Sequence, residues 1–261
     1  GSEMCIRDSV NLPPAYLLHR RPYRDSSQLL ELFTAEHGRL SLVAKGVHRK
    51  ARGGTTGAVL QPFVPLLVSF SGRGELKTLT HAEVAGRPRR LSGATLFSGF
   101  YLNELMVRLL HRYDPHPPLF ASYGDTLTAL GQGDSADSVL RRFELDLLQE
   151  LGYSFALDAE AETGECLDPD GWYRLEPERG LVACVSGVAE VQRYYGSDLL
   201  AMASGDFSGS AARTATRLLR HALAAQLGDT PLRSRALFRQ FSAGVNDGGP
   251  VDAASGTEDT A

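Results

Sequence analysis

The sequence predicts an α+β protein in which a small β-barrel precedes a helical region. Between residues 15 and 84, short apolar runs alternate with polar residues and are separated by turns rich in Gly and Ser. After Pro88 the apolar residues recur with helical spacing. The charge is divided in the same way: residues 15–90 carry thirteen Lys or Arg against five Asp or Glu, whereas residues 91–261 carry thirteen against 24.

The first part of the chain contains five predicted strands. They lie at residues 16–19, 29–33, 40–43, 66–70 and 76–79. Turn residues such as Asp25-Ser26-Ser27 and Gly72-Arg73-Gly74 separate them. Five short strands in this length are typical of a closed barrel, and the OB-fold is a five-stranded barrel that commonly binds oligonucleotides. An SH3-like barrel fits the same pattern.

Three helices and one hairpin are predicted in the second part. The helices lie at residues 95–110, 139–151 and 211–227. The first is apolar on nearly every side, as in a helix buried at the centre of a bundle, and the second carries one apolar stripe. Strand-like residues 173–175 and 180–183 predict a small hairpin inserted between the second and third helices.

These elements divide the chain into segments of distinct expected structure. The segments are a disordered or non-native leader at 1–14, an OB-fold DNA-binding domain at 15–86, a helical domain at 87–155, a metal-free hairpin insert at 156–196, C-terminal helices packed on the helical domain at 197–241, and a disordered acidic tail at 242–261. The tail offers little apolar surface to offset its ordering entropy. The sequence has no apolar run long enough to span a membrane and no signal peptide, so a cytoplasmic protein is expected.

The basic residues of the barrel predict a nucleic-acid surface. They concentrate in residues 45–54, a loop rich in Lys, Arg and Gly. Such side chains release condensed counterions on binding phosphates, although a solvated surface loop is the alternative. The candidate DNA contacts are Arg39, Lys45, Arg49, Lys50, Arg52, Arg73 and Lys77. Tyr23, Phe33 or Phe63 are candidates for a stacking face, with core packing as the alternative.

Catalytic and metal-binding motifs are missing from the sequence. It contains no phosphate-binding loop, dinucleotide motif, zinc-protease motif or nucleophile elbow, so no catalytic residue and no cofactor are predicted. The carboxylates between Asp158 and Asp170 lack the ligand order of a calcium loop. Cys166 and Cys184 supply half of a structural zinc site, and no metal is predicted.

Eight short motifs resemble the bacterial RecO family of DNA repair and recombination mediators. In order, they are Leu32-Phe33-Thr34 with Gly38-Arg39, Leu42-Val43-Ala44-Lys45-Gly46, Leu60-Gln61-Pro62-Phe63, Gly72-Arg73-Gly74-Glu75-Leu76-Lys77-Thr78, Tyr101-Leu102-Asn103-Glu104-Leu105, Leu140-Arg141-Arg142-Phe143-Glu144, Leu151-Gly152-Tyr153, and Pro231-Leu232-Arg233-Ser234-Arg235 with Leu237-Phe238-Arg239-Gln240-Phe241. Some members carry a four-cysteine zinc site after the amphipathic helix. This chain has two cysteines there, so the resemblance is to the zinc-free branch.

The resemblance implies a function as well as a fold. It implies an N-terminal OB-fold, a helical bundle and a small third subdomain. It also implies binding of single- and double-stranded DNA, annealing of strands coated by single-stranded DNA-binding protein, and RecA loading with RecR, with RecF as a further partner. A cytoplasmic, nucleoid-associated location follows from that role.

The resemblance further implies a partner site on the helix at residues 139–151. This helix is expected to dock the acidic, phenylalanine-ended tail of single-stranded DNA-binding protein. The residues assigned to the tail are Arg141, Arg142, Leu145 and Leu148. From the residues alone, the two arginines belong to a solvated helix face, with Arg142 pairing Asp146.

Other functions remain open at this point. One alternative is an OB-fold scaffold or nucleic-acid-binding module without annealing activity. If its barrel binds protein, its DNA affinity is expected to be weak and insensitive to salt. Another is a metal-dependent nuclease that uses the acidic run between Asp158 and Asp170.

Overall fold

A computed structural model of the chain describes residues 9–10, 12–24, 26–46, 50–51, 54–88, 90–176, 178–184, 192–228 and 230–246. The strands are β1 (Ser9–Val10), β2 (Pro14–Tyr23), β3 (Ser27–Thr34), β4 (Gly38–Lys45), β5 (Lys50–Ala51), β6 (Gly54–Thr55), β7 (Leu66–Ser71), β8 (Leu76–Val84), β9 (Trp172–Glu176), β10 (Gly180–Ala183) and β11 (Tyr194–Tyr195). The helices are α1 (Thr56–Val59), α2 (Gly93–Leu109), α3 (Pro117–Gln132), α4 (Ala136–Glu150), α5 (Gly196–Ala203), α6 (Gly209–Leu227) and α7 (Arg233–Asn246).

Strands β2, β3, β4, β7 and β8 close a barrel in the described part of the chain. Antiparallel pairs run in the order β7, β2, β3, β4, and β8 joins the two ends. It pairs antiparallel with β7 and parallel with β4, so the five strands form a ring. Closure satisfies the backbone groups that the edges of an open sheet would expose. The prediction of a closed, OB-like barrel is therefore confirmed, and all five predicted strands lie within it.

The first half of β2, residues 15–18, is buried on both faces, which explains its unbroken apolar run. Ala15 and Leu17 belong to the core inside the barrel. Tyr16 and Leu18 belong to a second core that is shared with the helices. The Tyr16 ring packs edge-on against Tyr123 of α3, with ring centroids 5.0 Å apart. The barrel therefore uses β2 to attach the helical region.

A buried asparagine fixes the position of the helices on the barrel. Asn103 of α2 is 2% exposed, and its side-chain nitrogen donates to the Leu18 carbonyl of β2 at 3.0 Å. Its side-chain oxygen accepts from the hydroxyl of Tyr123 at 2.5 Å. Because both polar groups of the amide are satisfied, burial of Asn103 carries little penalty and specifies one packing arrangement.

The helix α3 was not predicted from the sequence. His116-Pro117-Pro118 is typical of a turn, and glycines at 124 and 131 lower helical propensity. The two prolines lie in the first turn, where a missing N–H costs no intrahelical bond. Tyr123 and Leu127 are fully buried, so tertiary packing stabilises a helix that local propensity disfavours.

A separate sheet follows the helix α4. The predicted hairpin is confirmed as β9 and β10, and β11 pairs with the other edge of β9, which gives three strands among the described residues. The ends of the chain differ from the predicted segments in two places: Ser9–Val10 pair with β7, and α7 continues to Asn246. Residues 1–8 and 247–261 lie outside the described residues. Within the described part, none of the helices is long and apolar enough to cross a membrane.

Candidate functional site

One end of the barrel gathers exposed basic side chains from β2, the turn after it and β4. In the register of the sheet, Tyr23 of β2 lies opposite Ser27 of β3, and Ser27 lies opposite Lys45 of β4. The N–H of Gly46 donates to the carbonyl of Ser26 at 3.1 Å, which holds the start of the basic loop against the β2–β3 turn. We call this region the loop end of the barrel. Its exposed basic residues are Arg20, Arg21, Arg24 and Lys45.

The sequence-predicted DNA residues do not form one cluster. Arg39 and Lys45 lie six residues apart on β4, a separation of about 20 Å in an extended strand. Lys77 lies 5.7 Å from the ring centroid of Tyr113, whose N–H donates to the carbonyl of Arg39. Lys77 and Arg39 therefore share the opposite end of the barrel, and the exposed Arg73 lies in the turn beside them.

Arg39 is committed to an ion cluster. Its guanidinium lies 3.3 Å from the carboxylate of Glu31, and its side chain is only 15% exposed. Glu31 also accepts from Ser41 at 2.7 Å and from Arg112 at 3.2 Å. Burial lowers the pKa of Arg39, and Glu31 partly offsets this effect. The cluster ties the barrel to the segment after α2, which is a structural role for Arg39.

Part of the predicted basic loop lies outside the described residues. This holds for Arg49 and Arg52, while Lys50 is described only by its backbone, which pairs in β5 with β6. Among the stacking candidates, Phe33 and Phe63 are 0% and 4% exposed and belong to the core. Tyr23 is partly exposed, and the guanidinium of Arg24 lies 5.2 Å from its ring centroid.

The arginines at the loop end are not among the residues that the sequence predicts to bind DNA. Arg20, Arg21 and Arg24 are absent from the predicted set because they lie at the end of β2 and in the turn after it, well before the basic loop in the chain. The run Arg20-Arg21-Pro22-Tyr23-Arg24 mixes basic and aromatic residues, and this signal is typical of nucleic-acid surfaces. Only the pairing of β2, β3 and β4 brings it beside Lys45.

The two neighbouring arginines of α4 face opposite environments. The side chain of Arg141 is 9% exposed and lies 2.9 Å from the carboxylate of Glu144, which is fully buried. Arg142 is exposed, and its guanidinium donates to the carbonyl of Gly205 at 3.4 Å. Consecutive residues of a helix point about 100° apart, which separates the two roles.

A cleft of about 270 Å³ lies along α4. Arg142 does not line it, but its guanidinium bonds to Gly205, two residues after the lining residue Ala203. The lining of the cleft includes both predicted leucines, Leu145 and Leu148, together with Phe155, Leu157 and Ala203. Leu145 lies one helical turn after Arg142, on a neighbouring face. The carboxylate of Asp158 also lines the cleft. The arrangement combines an apolar floor with a cation beside it, which suits an apolar ligand that carries negative charge.

The acidic run between Asp158 and Asp170 forms local contacts. Glu160 accepts from the backbone N–H groups of Glu162 and Thr163 at 3.0 and 2.7 Å. These hydrogen bonds hold the pKa of Glu160 below its ordinary value, and the bond from the Thr163 N–H has the largest effect. In the part of the chain that the structure describes, no group of three or more His, Cys, Asp or Glu could hold a metal ion. Cys166 and Cys184 are free thiols.

The fold defines the class of protein. It is an OB-like barrel with an added helical domain, and such barrels commonly bind oligonucleotides. Residues 12–87 match the family model described as Recombination protein O N terminal, and residues 90–236 match Recombination protein O C terminal. The chain belongs to the RecO family of DNA repair proteins.

Curated relatives match nearly the whole chain. A DNA repair protein RecO from Methylococcus capsulatus is 49% identical over 234 residues, which are 89% of this chain and 95% of the relative. A DNA repair protein RecO from Nitrosococcus oceani is 46% identical over 233 residues, 89% of this chain and 94% of the relative. A third, from Pseudomonas paraeruginosa, is 47% identical over 226 residues, with coverage of 85% and 92%.

Proposed function

We propose that this RecO family protein binds DNA at the loop end of the barrel and anneals complementary strands coated by single-stranded DNA-binding protein. The main support is the group of exposed basic residues that the strand register brings beside Tyr23 and the basic loop. Two complementary strands repel each other through their phosphates. A basic surface that holds both strands lowers this repulsion without consuming ATP.

The strand-coating protein requires a second site, which we place at the cleft beside α4. An acidic tail that ends in phenylalanine can bury its ring between Leu145 and Leu148. Arg142 then binds the terminal carboxylate through a charge-assisted hydrogen bond. The carboxylate of Asp158 repels the acidic residues of the tail. These residues therefore lie away from Asp158, on the side of Arg142. RecR, RecA and RecF are proposed as the further partners in RecA loading.

Removing the cations at the loop end is expected to weaken DNA binding for all sequences alike. In the triple variant Arg21→Ala, Arg24→Ala and Lys45→Ala, the slope of log K against log salt should flatten by up to about 2. This value corresponds to about 0.7 for each of three single-strand phosphate contacts. Fluorescence anisotropy with two unrelated oligonucleotides at several salt concentrations measures both quantities.

A matched variant at the opposite end of the barrel locates the site. The double variant Arg73→Ala and Lys77→Ala removes two charges from the opposite end of the barrel, one exposed and one partly buried. It should retain most of the affinity and nearly all of the slope. If this variant loses more affinity than the triple variant, the DNA surface lies at the Arg73 end and the proposed placement is wrong.

Annealing distinguishes a mediator from a simple binding module. Complementary oligonucleotides coated with the cognate single-stranded DNA-binding protein should pair faster in the presence of the protein, and the triple variant should slow this pairing. Binding without any acceleration would identify a nucleic-acid-binding module instead. Loss of intact oligonucleotide in the presence of a divalent metal would identify a nuclease.

Chelation is expected to leave the protein unchanged. Cys166 and Cys184 supply only half of a four-ligand zinc site. Treatment with a chelator should therefore preserve the melting temperature and the annealing rate, because no metal binding contributes to folding. Stoichiometric zinc in the untreated protein, together with unfolding after chelation, would contradict this expectation.

A further inference from the structure

An aromatic pair of one exposed and one partly exposed ring lies on the small sheet, far along the chain from the barrel. Trp172 of β9 is 44% exposed, and its ring centroid lies 5.0 Å from that of Tyr195 on β11. The guanidinium of Arg193 lies 5.3 Å from the ring centroid of Trp172. Large aromatic side chains usually bury most of their surface in a core. Trp172 leaves nearly half of its surface in water, so it buries less apolar area in the fold than a core Trp would.

The backbone holds this aromatic pair rigidly. Trp172 lies opposite Tyr195 in the β9–β11 pair. On its other side, its carbonyl accepts from the N–H of Cys184 at 2.8 Å. The hydroxyl of Tyr195 donates to Asp170 at 2.9 Å, which fixes the tilt of the second ring. A flat apolar face held on a paired strand is preorganised for stacking, because little side-chain entropy is lost on binding.

The neighbouring face of α6 carries only positive charge. The helix contains no Asp or Glu, and Arg213, Arg217 and Arg220 are exposed along one side. The guanidinium of Arg217 lies 5.3 Å from the ring centroid of Tyr194 and donates to the carbonyl of Arg193. Arg217 and Arg193 therefore extend this basic face as far as Trp172. This basic face cannot be recognised from the summed charge of residues 91–261, which is negative.

We propose that Trp172, Tyr195, Arg193 and Arg217 form a second binding surface for single-stranded nucleic acid, separate from the loop end of the barrel. A base stacks on Trp172, and the adjoining phosphates lie along Arg193, Arg217 and the exposed face of α6. Aromatic faces combined with arginines are the usual means of binding single strands without sequence preference. The inference rests on the proposed function, because annealing requires the protein to hold two strands at once.

The single tryptophan of the chain reports directly on this surface. Titration of the full-length protein with an oligo-dT should quench the fluorescence of Trp172. The quenching should persist in the barrel triple variant Arg21→Ala, Arg24→Ala and Lys45→Ala, because the two surfaces are separate. If anisotropy reports oligo-dT binding while the tryptophan fluorescence stays constant, the second surface does not exist.

Further substitutions in the triple variant measure how much the second surface contributes to oligo-dT binding. There, Trp172→Ala should weaken oligo-dT binding about tenfold, the usual effect of losing one stacked base. Arg193→Ala should weaken it as well, and Trp172→Phe should retain most of the affinity. Tyr153→Ala is the control, because Tyr153 is also 44% exposed but follows α4 in the chain and is not part of the aromatic pair.

Three other results would overturn the inference and are distinguishable. Equal losses in the Trp172→Ala and Tyr153→Ala proteins would show a non-specific effect of removing surface aromatics. Quenching by an acidic peptide but not by oligo-dT would show that the surface binds protein. If the unaltered protein fails to bind oligo-dT by anisotropy, the proposed function itself fails, and the second surface fails with it.

Discussion

Replacing Arg141 with Met is expected to lower the free energy of unfolding by about 3 to 5 kcal/mol, because it leaves a buried carboxylate without its paired counter-charge and only the more distant Arg220 and Arg235 to offset its charge. Glu144 is fully buried, 2.9 Å from Arg141. Its other oxygen accepts from the hydroxyl of Tyr101 on α2 at 2.5 Å. Arg235 of α7 lies 3.4 Å from the same hydroxyl. The group therefore joins three helices, and chemical denaturation measures the loss.

Two control variants isolate the charge effect. Arg142→Met makes the same change one residue later, on the exposed face, and should alter stability by no more than about 0.5 kcal/mol. Adding Glu144→Gln to Arg141→Met removes the uncompensated charge while keeping an acceptor for Tyr101, and should restore much of the loss. Similar losses in Arg141→Met and Arg142→Met would show that the buried pair does not have this role.

The stability loss in the Arg141→Met protein should depend on pH. Burial raises the pKa of Glu144 above its ordinary value, and Arg141 opposes this rise. Since the folded protein then binds the Glu144 proton more tightly than the unfolded chain, stability falls as pH rises from the ordinary pKa through the raised one. Without Arg141 the pKa rises further. The deficit of the variant should therefore be smaller at about pH 5 than at about pH 8.

Replacing Arg142 with Ala is expected to weaken binding of the acidic tail peptide tenfold to hundredfold. The change removes a charge-assisted hydrogen bond, typically about 1.5 to 3 kcal/mol. DNA binding at the loop end of the barrel should be unaffected, because Arg142 lies on the helical domain. Annealing of coated strands should consequently fall much more than annealing of naked strands. Calorimetry with the peptide and annealing assays on both substrates measure these effects.

Two control variants test whether the peptide binds through the guanidinium of Arg142. Arg142→Lys keeps the positive charge but loses the planar guanidinium, so its affinity for the tail peptide should lie between those of the unaltered protein and Arg142→Ala. Arg179→Ala removes an arginine of the small sheet, paired with Glu162 and Glu176, and should leave the affinity unchanged. Unaltered peptide affinity in the Arg142→Ala protein would exclude the cleft beside α4 as the docking site.

Local sequence patterns were sufficient for most elements of the fold. The five barrel strands, the hairpin and the helices α2, α4 and α6 follow from apolar spacing, because burying one face requires that spacing wherever the element lies. Helix α3 could not be predicted in this way, because its prolines and glycines obscure the pattern and its packing against Tyr16 stabilises it. Barrel closure was inferred from strand number, but the parallel β4–β8 pair depends on contacts distant in sequence.

The sequence by itself determined the fold class, the family motifs and the excess of basic residues in the barrel region. Only the tertiary structure decided what individual charges do. In the sequence, Arg39 and Arg141 cannot be told apart from Lys45 and Arg142. In the structure, Arg39 is partly buried beside Glu31 and Arg141 is buried beside Glu144. The partner that orients Glu144 is Tyr101, 43 residues earlier in the chain. Spacing along one helix defines which residues share a face, but the environment of each face depends on the segments packed against it.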